Sequence, residues 1–179
     1  MASFFRTYRV EKGGERIDGV FVMAFIHNSD YQLTHISIYK DGLIDCWGLV
    51  DFEGFKQKVR SGWVVTRPPQ KAKVSVSFLA SFTAVKADYW IDPEEFIKEV
   101  ADEIEELNDR PTTSDLCRKA WESYTGSPTD EKKEALRLTY EAVPEHNRMY
   151  VGGDMDTKDN DIRAVLYPDE YPGPEGDGP

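Results

Sequence analysis

Tyr31-Gln32-Leu33-Thr34-His35-Ile36-Ser37-Ile38-Tyr39, then Lys40-Asp41-Gly42, then Leu43-Ile44-Asp45-Cys46-Trp47-Gly48-Leu49-Val50, is the stretch that decides the fold class. The first run is rich in β-branched and aromatic residues, the composition of a strand. Asp41-Gly42 tolerates the positive φ that a tight two-residue hairpin asks of both central positions, so residues 43–50 are expected to return as the partner strand. A hairpin here makes the N-terminal half a sheet built largely from sequence neighbours, hence mainly antiparallel.

Upstream, residues 4–10 are apolar enough for a strand, Gly13-Gly14 supplies a turn, and residues 20–26 form a continuous apolar run that suits a buried strand. His27-Asn28-Ser29-Asp30 has turn composition. Downstream, Asp51 is placed to cap a short helix over 52–60, with Phe52, Phe55 and Val59 on one face and Gly62 past its end. Residues 63–66 read as a strand stopped by Pro68-Pro69. Val74, Val76 and Phe78 alternate with Lys73, Ser75 and Ser77, and residues 82–90 are expected to continue as a further strand.

The pattern then changes to helix. Asp92-Pro93-Glu94-Glu95 is a capped start with acids where the helix dipole favours them. It predicts a helix over 93–108 with Phe96, Val100, Ile104 and Leu107 as its apolar stripe. A second helix is expected over 113–124, with Leu116, Cys117, Ala120, Trp121 and Tyr124 inward. A third starts at Ser127-Pro128-Thr129-Asp130, with Ala135, Leu136, Leu138, Tyr140 and Val143 as its apolar set and Pro144 as its stop. These two make a helical hairpin. Short strands are expected at 149–151 and 162–167, with a polar loop between. The fold class is therefore α+β, divided as a β-rich domain with a packed helix (1–110), a helical hairpin with an acidic loop and short strands (111–167), and a disordered acidic tail (168–179).

Charge follows the same division. The net charge is −11, but residues 1–90 hold 12 Lys/Arg against 9 Asp/Glu, and residues 91–179 hold 10 against 24. An acidic half repels a phosphate backbone, so no nucleic acid is expected through it, whereas a basic protein would be drawn to it. The two cysteines, Cys46 and Cys117, fit no metal spacing and read as reduced, buried thiols. No run approaches a membrane span, the first residues lack a signal-peptide core, and the cytoplasm is the expected compartment.

Chemistry-bearing motifs are few. No nucleophile elbow, P-loop, Gly-x-Gly-x-x-Gly, Cys-x-x-Cys or His-Glu-x-x-His occurs. The densest polar segment, 153–161, brings Asp154, Asp156, Asp159 and Asp161 together, four carboxylates that would suit a hard divalent cation, though the EF-hand pattern fails at its glycine and glutamate positions. Of the three histidines, His35 shares a strand face with Leu33, Ser37 and Tyr39, and the partner a general base needs could come from a carboxylate such as Asp45 on the return strand, the register being open. His35, Tyr39, Asp45, Trp47 and Trp63 are the candidate pocket set. The acidic face of the 93–108 helix, Glu99, Asp102, Glu103 and Glu106, is the candidate docking surface.

Phe25-Ile26-His27-Asn28 with Tyr31-Gln32-Leu33, Ile36 to Trp47, and Ser61-Gly62-Trp63-Val64-Val65-Thr66 resemble a group of uncharacterised bacterial proteins. So do Tyr140-Glu141-Ala142-Val143-Pro144-Glu145-His146 and Gly153-Asp154-Met155-Asp156-Thr157-Lys158-Asp159. The resemblance implies a bacterial source and brings no catalytic residue with it. Three functions then stand as expectations. The first is a non-catalytic acidic protein that engages a basic protein partner, of immunity, antitoxin-like or defence-associated type. The second is a metal-dependent phosphoester hydrolase using the 154–161 loop with His146 as acid or base. The third is a structural subunit of a bacterial assembly.

Overall fold

The computed structural model describes residues 2–77, 79–152 and 158–171. Contacts divide the chain into two compact units, Met1–Arg110 and Pro111–Pro179.

The spine of the first unit is one long hairpin. β2 (Arg16–Asn28) pairs antiparallel with β3 (Asp30–Tyr39) from Gly19↔Tyr39 to Asn28↔Asp30. On its outer side each strand is longer than any single neighbour, so its two ends are flanked there by different strands. β1 (Phe5–Val10) pairs with the start of β2, and β6 (Val64–Val65) with its end. β4 (Ile44–Asp45) pairs with the end of β3, and β7 (Lys73–Val76) runs parallel to its start. β5 (Leu49–Val50) and β8 (Ala80–Thr83) extend the sheet from β4 and β7.

This register assigns every side chain a face. Val20, Val22, Ala24 and Ile26 of β2 lie beside Ile36 and Ile38 of β3 and Ile44 of β4, all buried. Two helices cover that face: α1 (Phe52–Arg60) brings Phe55 and Val59, and α2 (Pro93–Leu107) brings Phe96, Ile97 and Val100. Each such side chain, fully removed from water, contributes about 1.5–3 kcal/mol. Both helices start at the carboxylates that their sequences place there. Asp51 accepts the Gly54 N–H at 2.8 Å, and Asp92 accepts the Glu94 N–H at 2.8 Å.

Several elements differ from the sequence reading. The apolar run 20–26 is not buried on both sides: Phe21 and Phe25 are half-buried and Met23 is exposed on the face opposite the helices. The hairpin turn holds three residues rather than two. Gly42 N–H donates to the Tyr39 carbonyl and Gly42 alone takes a left-handed φ of 83°. The return strand 43–50 is broken, because Trp47 (φ 63°) and Gly48 (φ 131°) reverse the chain and fold β5 back on β4. The expected strand over 82–90 is shorter and earlier. A tight turn from Val76 to Leu79 sends the chain back at Ala80, and pairing ends at Thr83.

The second unit is helical. α3 (Thr113–Gly126) opens on a capping box, in which Thr112 and Asp115 each satisfy the other's backbone N–H. α4 (Asp130–Ala142) is capped by Thr129. Their shared core is Cys117, Leu136, Tyr140 and Val143, completed by Val151, Ile162 and Leu166. Leu116 and Leu138 are exposed, and so is Ala135, contrary to the expected inward sets. The stripe that faces in runs through Leu136, Tyr140 and Val143, at helical spacing. The segment 149–151 is no strand, since Met149 and Tyr150 belong to a 3-10 helix, Glu145–Tyr150. Nor is 162–167: it lies in α5 (Asn160–Leu166) and the turn that follows, because Ile162 and Leu166 bury one side at a spacing of four. Of the tail read as disordered, residues 168–171 turn back on α5, and 172–179 lie outside the described residues.

Candidate functional site

The last two turns of α2 overhang one edge of the covered sheet face and leave a groove of about 510 Å³. Its helix wall is Glu103, Glu106 and Leu107, with Asp109 just beyond; its sheet wall is Arg6, Arg16 and Asp18, with Lys40 at the hairpin turn. The groove is held at its end by Asn108, whose side-chain amide donates to the Lys40 carbonyl at 2.8 Å and to the Ile104 carbonyl at 2.8 Å. On the sheet side, Gly19 permits a close approach. A Cβ there would lie 2.3 Å from the Ile38 carbonyl oxygen and 2.8 Å from the Tyr39 ring. Arg16 is paired with Asp18 at 2.8 Å and lies over the Tyr8 ring at 4.3 Å.

The electrostatics of the helix wall are unusual. Burial pushes the Glu103 carboxyl up to about 7, and its acidic neighbours Glu106, Asp102 and Glu99 push in the same direction. A carboxyl in a groove, pushed up by burial and by the acids beside it on its own helix, is a feature that binding sites share. The sequence contained the signal. Glu103 stands seven residues after Phe96 and four before Leu107, so helical periodicity puts it on the apolar stripe rather than on the outer face. Glu99 goes further and leaves the surface. It is 3% exposed, and its carboxylate accepts the Ala2 backbone N–H at 2.7 Å. It is therefore an internal group, not a docking charge. Asp102 is half-buried and Glu106 is exposed, so of the four acids expected to form a surface, one is removed and one is changed in character.

The other expected sets are dispersed. Tyr39 is buried beneath the Arg9 guanidinium, which lies 4.6 Å from its ring and is paired with Asp41. His35 is exposed on the sheet face away from the helices, edge-on to Phe21. Asp45 shares that face by register, and its carboxylate is used in the chain reversal, accepting the Gly48 N–H at 3.0 Å. Trp47 and Trp63 do meet, edge to face at 6.4 Å. Trp63 donates from its indole to the Cys46 carbonyl at 3.2 Å, and Lys58 lies over its ring.

In the second unit, Asp159 is 3% exposed and its Oδ2 accepts from the Tyr140 hydroxyl at 2.6 Å and from Arg163 Nε at 2.9 Å. Burial and the hydrogen bond to Asp159 push the Tyr140 phenol up to about 12. This oxygen ties α4 to α5. Asp161 lies in the first turn of α5, and His146 is half-buried in the 3-10 helix. Asp154 and Asp156 lie outside the described residues. Among the described residues no group of three His, Cys, Asp or Glu side chains is arranged to hold a metal ion, and no helix is long and apolar enough to cross a membrane.

A family model described as Domain of unknown function (DUF7638) matches residues 6–111. The chain belongs to that family. A second model, Domain of unknown function (DUF7639), matches residues 112–178, so the junction between the matches falls beside the junction between the compact units. No curated protein and no solved structure matches the chain. The groove lies wholly within the stretch matched by the first model.

Proposed function

We propose that this chain is a non-catalytic binding protein that holds a basic segment of another protein against the acidic wall of α2. The observation that carries the reading is Glu103, pushed up to about 7 by burial and by the acids beside it. Such a cluster is unfavourable while no cation pairs with Glu103. A Lys or Arg from a partner relieves the repulsion and gains a desolvated carboxylate, so the free energy stored in the free protein favours the complex. Glu106 and Asp102 extend the wall outward and steer a basic partner toward it. Arg6 and Lys40, across the groove, receive acidic residues that flank the basic segment. An immunity or antitoxin-like protein of a bacterium is one concrete form of such a module. The buried thiols of Cys46 and Cys117 suit a reducing compartment, and we place the protein in the cytoplasm.

The test is capture on the immobilised full chain at low and at high salt, beside a Glu106→Lys variant. The reading expects a stoichiometric basic protein that salt releases and Glu106→Lys fails to hold. Binding near neutral pH should also release a proton, because the partner's cation returns Glu103 toward the usual carboxylate range. A captured set that neither salt nor Glu106→Lys alters, or no capture at all, refutes the reading.

A further inference from the structure

Strand β8 is an open edge. Among the described residues it pairs only with β7, and all four of its residues are exposed. An open edge presents unmet N–H and C=O groups and serves as a template for another strand. The register says which groups are open. The Ala84 N–H is turned toward β7, donating to the Ala72 carbonyl at 2.8 Å. Antiparallel alternation then turns Phe82 inward as well, and leaves the N–H and C=O of Ser81 and Thr83 facing outward. Edges are commonly guarded by charge or proline. Here residues 74–85, Val-Ser-Val-Ser-Phe-Leu-Ala-Ser-Phe-Thr-Ala-Val, carry neither.

We infer that β8 pairs antiparallel with β8 of a second copy of this chain, with Phe82 on the two-fold axis. The occupant follows from self-complementarity. In this register Ser81 faces Thr83 of the second copy, and the outward groups of both exchange hydrogen bonds on either side of the axis. Phe82, 51% exposed, faces its own counterpart at a non-hydrogen-bonded position, where opposed side chains come closest. Leu79 and Val85, 84% and 81% exposed, meet at each end of the seam. A hollow of about 390 Å³ lined by Gln32, Ser75, Leu79, Ala80 and Ser81 adjoins Leu79 and gives Val85 of the second copy a place to pack. Sliding the register by two residues opposes Phe82 to Ala80 or Ala84 and sets Leu79 or Val85 against a hydroxyl side chain. No charge falls at the seam to oppose self-pairing. The contact is the same on both copies, so it closes at a dimer.

The test uses the full chain. Sedimentation equilibrium over a dilution series should show a mass that falls from dimer to monomer. Ser81→Pro removes one outward N–H while leaving the β7 ladder intact, since proline is tolerated on an edge whose nitrogen faces out. It should be monomeric at every concentration, with an unchanged circular dichroism spectrum. Phe82→Cys should form a disulfide-linked dimer under mild oxidation and Ala80→Cys should not; the native thiols are buried and do not compete. A wild-type chain that is monomeric throughout, with no Phe82→Cys cross-link, overturns the inference. So does a dimer that survives Ser81→Pro, which puts the seam elsewhere, or a cross-link through Ala80→Cys instead of Phe82→Cys, which breaks the register. Charge reversal on α2 leaves all of these readings unchanged, so failure here is distinct from failure of the acidic-wall proposal.

Discussion

Replacing Glu103 by Gln should make the protein more stable, and only above the pH at which the carboxyl ionises in the unfolded chain. Its folded-state value is raised from 4.5 to about 7, so between these limits the folded chain binds a proton that the unfolded chain has lost. Stability therefore falls as pH rises through that window and levels off above it. The whole shift converts to about 3 kcal/mol at 1.36 kcal/mol per unit. Glu103 is only half-buried, and solvent screening reduces this to about 1–2 kcal/mol. Gln removes the charge and keeps the shape. Urea unfolding, followed by circular dichroism and by the fluorescence of Trp47, Trp63 and Trp90 in the first unit, should show no difference between the chains at about pH 4.5. The variant should gain about 1–2 kcal/mol at about pH 8. An equal difference at both pH values, or a variant less stable at the higher one, would refute the reasoning, because Glu103 would then be an ordinary surface acid.

Other expectations follow from single contacts. Tyr140→Phe takes one donor from buried Asp159 and should cost about 1 kcal/mol, whereas Asp159→Ala strands both Tyr140 and Arg163 and should cost about 3 kcal/mol, both read from denaturant midpoints. Gly19→Ala drives a methyl group into the Ile38 carbonyl and should destabilise the first unit by about 1–3 kcal/mol; an unchanged midpoint would mean the hairpin yields there. Asp51→Ala removes the α1 cap and should cost about 1 kcal/mol. Cys46 and Cys117 are fully buried, and burial raises both thiols, Cys117 to about 11. A thiol reagent at neutral pH should label neither until the chain is unfolded.

Elements whose ends carry their own chemistry were legible in the sequence. α1 runs over Phe52–Arg60 as expected because Asp51 and Gly62 punctuate it, and α2 starts where Asp92-Pro93 says it must. Elements defined by what lies beside them were not. α5 is short and apolar on one side only, and its helical state shows in the spacing of Asp159 and Arg163, a pair that means little until Tyr140 is known to meet it. The break between β4 and β5 depends on Trp47 accepting a left-handed φ, which an aromatic residue rarely does. Half of the groove was legible: the acids of α2 were in view, but its sheet wall comes from β1 and β2, brought there by a register that no local pattern shows. Glu99 looked like its acidic neighbours because the partner that removes it from water, the Ala2 N–H, is 97 residues away.

The β2–β3 hairpin also sets an order of assembly. Its ten pairs from Gly19↔Tyr39 to Asn28↔Asp30 join residues close in sequence, so the loop-closure entropy of forming it is small. β1 and β4 then add to a strand already in place, while the β2–β6 pairing, the parallel β3–β7 pairing and the Ala2–Glu99 bond must wait for long loops to close. In native-state hydrogen exchange the amides of Val22, Ala24, Ile36 and Ile38 should outlast all others in the first unit. Those of β7 and β8 should open first, each opening freeing residues 74–85, which carry no charge, while the spine stays folded.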